Sequence, residues 1–500
     1  MGSFNKQEKR LSRILVIVSL LLSACATYQV TPLNNNSLEE VLKPPDTKTI
    51  LVKARNIKHP ILRPIKINLS DGLSPDEAAV IAVIVNPTLR AERDRASVAR
   101  AQLLEAGLLP NPQLSFSMDI PSGGDTTDTV TGYGIGFGID LRSLITRDAR
   151  VEAAKRKLSS VNLEVAWKEW QVAEAAKMHL YHLYYLEKLK GIAKKKLTLS
   201  DKMLEVMKEA VMEGEKTSAD LMDMETKLRE TQTTLTDIDR ETKKERILLN
   251  RDMGLPPDRV LPLQSDIKDP FLCSKPSYNE LMDSLYSRPD ILALKEAFRA
   301  EDARLRVAIL SRFPDIGIGF DYSMGTDRLI TIGPSITIDL PFFDHAQGRV
   351  AMQKATMKEV FDRYAARVFK ARSDLMEIIS DMGFIKKKLH TLQGLINSLK
   401  QQCQTYRELL KEGMTDRIHY YSVCSRVISE QMKETRLKQL LTDMEVGLEI
   451  VSGRYTQTEQ SQYTCHRTVE GGEINSEFPV VLPRGSSLPS GLSRAVSLDR

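Results

Sequence analysis

Cysteine is scarce here, with five residues in 500. That is too few for a fold stapled by disulfides, and Cys273, Cys424 and Cys465 show no metal-binding spacing. After residue 25 there is no apolar run of about 18 residues, so no later segment reads as a transmembrane helix. Neither sign of charge dominates: 71 Lys and Arg against 66 Asp and Glu leave +5. This excludes a basic field sized for nucleic acid, and an acidic tail as well; alternating signs along helix faces read as solvated surface. There is no nucleophile elbow and no glycine loop to cradle a phosphate. Ser, His and Asp are present but in no catalytic constellation, so the chain reads as a non-enzyme without a cofactor. The fourth scarcity is the most telling. From Thr146 to Glu213 there is no proline and one glycine, Gly191.

That stretch carries apolar residues every seven positions, as in Val151, Leu158, Val165, Val172, His179 and Leu186. A second register is Ala154, Val161, Lys168, Ala175, His182 and Leu189. A heptad split three and four keeps one stripe of a helix against a partner. At about 1.5 Å per residue the rod is roughly 100 Å long, several times an ordinary globular helix. His345 to Glu412 is a second proline-free rod, with Val350, Met357, Tyr364 and Ala371 in one register and Phe361, Val368, Leu375 and Met382 in the other.

The two rods belong to a duplication. Asp140, Arg150, Glu213-Gly214 and Gly254 recur 199 positions on as Asp339, Arg349, Glu412-Gly413 and Gly453. Upstream, Pro87 and Pro112 recur 202 positions on as Pro289 and Pro314. Two similar halves therefore build one body.

Ahead of each rod lies a pair of alternating segments: Leu114 to Ile120 and Tyr133 to Leu141, then Ile316 to Tyr322 and Ile330 to Leu340. A two-residue period marks strands. One face is apolar and aromatic, the other Gly, Ser, Thr and Asp. Such staves suit a membrane barrel with lipid outside and water within; a soluble β-sandwich with one face on a core shares the alternation. Four strands cannot close in lipid, where open edges are not tolerated. Two copies would supply eight strands and three would supply twelve. After each rod comes a Glu-Gly turn and a return helix.

The predicted organisation is a signal peptide at 1–24, a tether at 25–74, a first repeat at 75–254, a linker at 255–277, a second repeat at 278–453 and a disordered tail at 454–500. The first repeat has strands at about 113–120 and 133–141 and helices at about 146–213 and 218–253. The second has strands at about 315–322 and 330–340 and helices at about 345–412 and 416–452. Ser74-Pro75-Asp76-Glu77 is a helix start, with N-cap, proline at N1 and acids in the first turn. Recurring prolines make the tether extended rather than packed. At the N-terminus, Lys6, Lys9, Arg10 and Arg13 precede a short apolar core, Ile14 to Leu22. The closing Leu22-Ser23-Ala24-Cys25 resembles a bacterial lipoprotein signal, which implies cleavage before Cys25 and lipid on that cysteine. By the same resemblance, Ala26 at the next position favours the outer membrane.

Hairpin, rod, Glu-Gly turn and return helix, all twice behind such a signal, resemble the outer-membrane efflux protein family of TolC-like exit ducts. The resemblance covers roughly residues 70 to 453. It rests on Asn86-Pro87-Thr88-Leu89, on Ala106-Gly107-Leu108-Leu109-Pro110-Asn111-Pro112-Gln113-Leu114 and on Arg288-Pro289-Asp290-Ile291. The Gly-Leu-Leu-Pro-Asn-Pro run is most similar to the heavy-metal branch. The family implies a mainly α protein with membrane β: a homotrimer whose twelve-stranded outer-membrane barrel continues as a periplasmic α-helical barrel. It implies as partners a periplasmic adaptor and an inner-membrane pump of RND type, for which the duct is a passive exit.

The resemblance further implies that Glu213, Gly214, Glu412 and Gly413 form periplasmic tips where the adaptor docks. It places Asp220 and Asp223 at a pore constriction, with His419 and Ser422 at the matching positions of the second half. Acids three apart share a helix face, and copies around an axis would make a cation-favouring ring. The competing reading of Asp220 is a helix cap with Thr217. His179 and His182 lie on the rod's seam and read as packing rather than metal ligands, because a third ligand is missing from the sequence pattern. Met203, Met207 and Met212 read as packing too, and Cys403 as a buried thiol. A periplasmic adaptor would carry one helical hairpin rather than two in tandem, and a poreless coiled-coil scaffold would gain nothing from glycine-alternating strands.

Overall fold

A computed structural model describes residues 33–124, 127–268, 270 and 277–454. The signal segment, Cys25 and the tail from residue 455 lie outside the described residues. Two short helices, α1 (Asn35–Leu42) and α2 (Thr47–Arg55), open the chain. The first repeat follows as α3 (Pro75–Val85), α4 (Pro87–Gly107), β1 (Gln113–Asp119), β2 (Gly132–Asp140), α5 (Leu141–Met212) and α6 (Ser218–Asp252). The second is α7 (Tyr278–Leu285), α8 (Pro289–Leu310), β3 (Ile316–Met324), β4 (Ile330–Ile338), α9 (Gln347–Lys411) and α10 (Arg417–Ser452). The same order of elements thus occurs twice.

The rods are α5, with 72 residues, and α9, with 65. At about 1.5 Å per residue they reach roughly 110 and 100 Å. The four long helices lie side by side in the order α6, α5, α10, α9, with α8 against both rods and α3 and α4 against α5. The heptad stripe is what they bury: Val161, Val165, Leu186 and Leu189 on α5, and Val368, Leu375, Leu389 and Ile396 on α9. On α9 the buried stripe is narrow. Phe361, which shares a heptad register, is exposed, as are Phe369 and Phe384.

The rod α5 starts earlier than its apolar pattern predicts. Asp140 caps it, accepting from the N–H of Arg142 at 2.8 Å and of Ser143 at 3.2 Å, so β2 runs straight into the helix. In the second half Pro341 stands where Arg142 stands and has no N–H to offer Asp339. There α9 begins only at Gln347, after a loop that ends with Ala346 in the left-handed region at φ 58°.

The duplicated motifs form matched clasps. Asn86 caps α4 and donates from Nδ2 to the Asp252 carbonyl at 2.8 Å. Arg288, at the equivalent pre-proline position, donates to the Val451 carbonyl at 2.8 Å. Asp252 and Val451 are themselves 199 positions apart. So each pre-proline residue ties the start of one helix to the end of its repeat's return helix. Gly254 and Gly453 follow at φ 65° and 68°, a region favouring glycine. A Cβ on Gly254 would lie 2.9 Å from the Val85 carbonyl oxygen. Arg288 also pairs bidentately with Asp290 and stacks over Trp167, its guanidinium 4.5 Å from the ring centre.

One sequence expectation is corrected. Residues 25–74 are not an extended tether over their described part: α1 and α2 form there, and Ala54, Leu62 and Ile67 are buried against α3 and α5. Proline spacing hid these apolar anchors. The linker at 255–277 packs against the first repeat where described, with Leu263 bridged to Leu73 in parallel and Ile267 buried.

Where α3, α5 and α10 meet lies a buried charge cluster. The Lys177 ammonium on α5 is fully buried, 2.5 Å from Glu449 of α10 and 4.0 Å from Asp76 of α3. Glu174, one turn away, is also fully buried. Burial pushes the Glu174 carboxyl well up, aided by its acidic neighbours, and burial also raises Glu449. Burial would lower Lys177, but the surrounding carboxylates outweigh it and raise it.

Candidate functional site

The strands make one antiparallel sheet in the order β1-β2-β3-β4. Its register sorts the chemistry by face. Leu114 pairs with Phe137, Phe137 with Phe320 and Phe320 with Pro334; one step along, Phe116, Ile135, Tyr322 and Ile332 form the next row. The alternate rows are Ser115, Gly136, Asp321, Gly333 and Ser117, Gly134, Ser323, Thr331. Leu114 and Phe116 are about three-quarters exposed (75% and 70%), as is Ile336 at 69%, so nothing among the described residues covers the apolar face. Edges β1 and β4 have no further strand partner among the described residues. A sheet with a bare apolar face and two free edges is not a finished soluble structure. No described helix is long and apolar enough to cross a membrane.

At the other end of the rods are the hairpin tips. The C-cap of α5 is Glu213, and Gly214 turns the chain at φ 76°. Glu215 N–H closes onto the Ala210 carbonyl at 2.8 Å. The second tip repeats this with Glu412, Gly413 at φ 72° and a bond from Met414 N–H to the Leu409 carbonyl at 2.9 Å. All four tip residues are exposed. The tips adjoin: Met203, Met207 and Met224 are buried together with Ile418 and Tyr421 at their margin, and Arg417 reaches Glu209 at 2.8 Å. Met212, Met222 and Met414 are left 69% to 80% exposed, an apolar surface at the tip.

Asp220 is exposed and acts as a capping-box partner. Its Oδ2 accepts from Thr217 N–H at 2.9 Å and from the Thr217 hydroxyl at 2.7 Å. These bonds hold its carboxyl below the usual range. Asp223 is exposed and pairs with Lys227 at 2.5 Å. In the second half Asp416 is the cap, accepting from His419 N–H at 2.6 Å, and the His419 ring lies 4.7 Å from that of Tyr406. Ser422 is exposed.

Two features escaped the sequence. Cys403 is not a buried thiol: it is half-buried and disulfide-bonded to Cys424, joining α9 to α10 close to the tip. The 21-residue spacing has no meaning until the hairpin turn at Gly413 is folded. His179 and His182 do pack between helices, and the surroundings are charged. They are half-buried among Glu245, Asp252 and Asp443, acids from two other helices. Burial would lower the His182 pKa, but hydrogen bonds to Asp443 and Glu245 prevail and raise it to about 9. Burial would raise Glu245, and its two histidine partners instead bring it to about 2.

No family model and no curated protein matches the sequence. Solved structures do match the fold. The outer-membrane protein VceC from Vibrio cholerae is 15% identical, with 77% of this chain and 97% of that one covered at a TM-score of 0.62. The channel protein CusC is 16% identical over 82% and 99%, also at 0.62. The open-state outer-membrane channel MtrE from Neisseria gonorrhoeae is 15% identical over 86% and 98%, at 0.61. The alignments take in nearly the whole length of each neighbour. The fold of this chain is that of the TolC-like outer-membrane channels.

Proposed function

We propose that this protein is the outer-membrane exit duct of a tripartite efflux system. The observation that carries the reading is the sheet: four strands with an uncovered apolar face and two free edges, continued by rods of roughly 100 Å. Three copies, each giving four strands, close a twelve-stranded barrel with Gly, Ser and Thr toward the water. Rods and return helices continue it as a periplasmic tunnel. Cys25 carries lipid on the periplasmic side. The tips at Glu213, Gly214, Glu412 and Gly413, with exposed methionines beside them, receive the adaptor, and an inner-membrane RND-type pump supplies the energy. The Ala106 to Leu114 run favours metal cations as cargo. Asp220 and Asp223 belong to the constriction, where Asp220 can both cap its helix and face the pore.

Conductance of the purified protein in planar bilayers tests this. A trimer in detergent with discrete, cation-preferring channels is the expected result. Asp220→Ala/Asp223→Ala reduces the cation preference if these acids ring the pore. A water-soluble monomer that passes no ions would overturn the duct and leave an adaptor or scaffold.

A further inference from the structure

Far from both tips and sheet, five polar side chains meet where α5, α6 and α10 run alongside one another. His179 and His182 sit one turn apart on α5. Glu245 of α6 sets a single carboxylate oxygen, Oε2, 2.7 Å from His179 Nδ1 and 3.4 Å from His182 Nδ1. One donor atom from each of these three residues lies within 4.8 Å of the other two. The outward nitrogens are also engaged. His182 Nε2 is 2.7 Å from Asp443 Oδ1 of α10, and His179 Nε2 is 3.5 Å from Asp252 Oδ2 of α6. The two rings stand nearly perpendicular, at 88°, with centroids 6.0 Å apart.

We infer that this cluster is a resident binding site for a divalent transition-metal ion, zinc being the simplest occupant. His179 Nδ1, His182 Nδ1 and Glu245 Oε2 are the ligands. Asp252 and Asp443 are positioning residues that hold the imidazoles from behind. Three features carry the assignment. First, the donor set is two imidazoles and one carboxylate, a combination that zinc takes with one coordination position left open. Second, both rings face the shared Glu245, and on its far side His182 is hydrogen-bonded to Asp443 at 2.7 Å, while Asp252 stands at ion-pair distance, 3.5 Å, behind His179. A metal-bound histidine characteristically gives its second N–H to a carboxylate in this way. Simple ion pairing needs no such division of labour. Third, the spacing is near that of a metal shell. Bonds of about 2.0 Å in tetrahedral array put ligand atoms about 3.3 Å apart. The His182 to Glu245 distance already fits, and the His179 to Glu245 distance needs to open by about half an ångström. The ligand side chains remain 17% to 20% exposed, so an ion can enter from water and water can fill the fourth position.

The site uses residues of both repeats, because Asp443 comes from the second. A bound ion would therefore brace α5, α6 and, through Asp443, α10 at mid-rod. The inference concerns a resident ion, not cargo, and it stands whether or not the protein conducts.

The test is zinc binding to the full-length, chelator-stripped protein in detergent, purified without a polyhistidine tag. Equilibrium dialysis with elemental analysis is expected to find one zinc retained per chain. X-ray absorption at the zinc edge is expected to show two imidazole ligands. His179→Asn/His182→Asn should weaken binding at least 100-fold, and Asp443→Asn 10- to 100-fold, because the His182 Nε2 side loses its carboxylate. Zinc should raise the melting temperature of the wild type but not of the double variant. Should that variant fail to fold, Glu245→Gln and the absorption spectrum of the wild type decide. Zinc bound equally by Glu245→Gln or by the histidine variant would overturn the assignment. So would a spectrum without imidazole ligands, or no zinc retained by the wild type.

Discussion

Replacing Lys177 by Met removes one charge from the best-buried polar cluster in the protein and changes little else. Methionine occupies similar volume and adapts to irregular gaps, so no cavity term enters. What changes is the balance of charge. With the ammonium, one cation answers Glu449 at 2.5 Å and Asp76 at 4.0 Å, with Glu174 also facing it. Without it, three carboxyl groups share a site from which water is excluded. Removing one partner of a buried pair costs roughly 3–5 kcal/mol, because the remaining charge keeps its desolvation penalty. The cost depends on pH, and its sign follows from the raised pKa of Glu174 and Glu449. A carboxyl raised in the folded state favours folding below its unfolded pKa, near 4.3. That advantage is lost as pH rises through the folded value. Loss of the lysine raises both groups further and widens that window upward.

The Lys177→Met protein is therefore expected to lose about 3–5 kcal/mol at pH 8 and clearly less at pH 5. Hydrogen exchange over the middle of α5 and the C-terminal end of α10 reads the local loss, and denaturant unfolding the global one. Adding Glu449→Gln and Glu174→Gln should restore much of it, since of the three acids only Asp76, 4.0 Å from the lysine, is then left to carry charge. A loss under about 1 kcal/mol, or one equal at both pH values, would refute the reasoning.

Other expectations are as direct. Gly254→Ala meets both a φ of 65° and the Val85 carbonyl; it should cost about 1–3 kcal/mol and free the end of α6, read as faster hydrogen exchange there. Gly191→Ala, at a helical glycine with open space around it, is the control and should be neutral or stabilising by up to about 1 kcal/mol. Reduction of the Cys403–Cys424 bond opens a 21-residue loop, worth about 3 kcal/mol of constraint in the chain-entropy account. Thiol alkylation should label both cysteines only after reduction, and exchange should then rise at the second tip and not at the first.

The parts legible in the sequence are those whose cause is local and periodic. The heptads of Val161 to Leu189 announced α5, and the alternation from Tyr133 to Ile139 announced β2. The Glu-Gly pairs marked both tips, because a left-handed turn needs glycine at that position. What stayed hidden depends on residues far apart in the chain. Leu62 and Ile67 are single apolar residues among prolines, with no period to betray them. The disulfide needs the hairpin folded. Glu245, Asp252 and Asp443 reach His179 and His182 from separate helices, so the third ligand that the sequence lacked was 63 residues beyond His182. The capping role of Asp220, by contrast, was readable from Thr217-x-x-Asp220 alone.

The two repeats share geometry more closely than chemistry, and the tip shows what that permits. Thr217 and Asp416 cap equivalent helices, and both Glu-Gly turns close with the same hydrogen bonds. Yet Asp220 and Asp223 correspond to His419 and Ser422. In a shared pore, acids from one hairpin would alternate with a histidine and a serine from the next. Introducing His419→Asp/Ser422→Asp therefore doubles the carboxylates on the ring without altering the backbone. The fold should tolerate it, because an acid in the first turn of α10 favours that helix end and both positions are exposed. On the duct reading, reversal potentials in a salt gradient should move further toward the cation value than in the wild type. Asp220→Ala/Asp223→Ala should move them the other way. If neither substitution shifts the potential, these positions do not line the narrowest part of the pore, and Asp220 serves its helix alone.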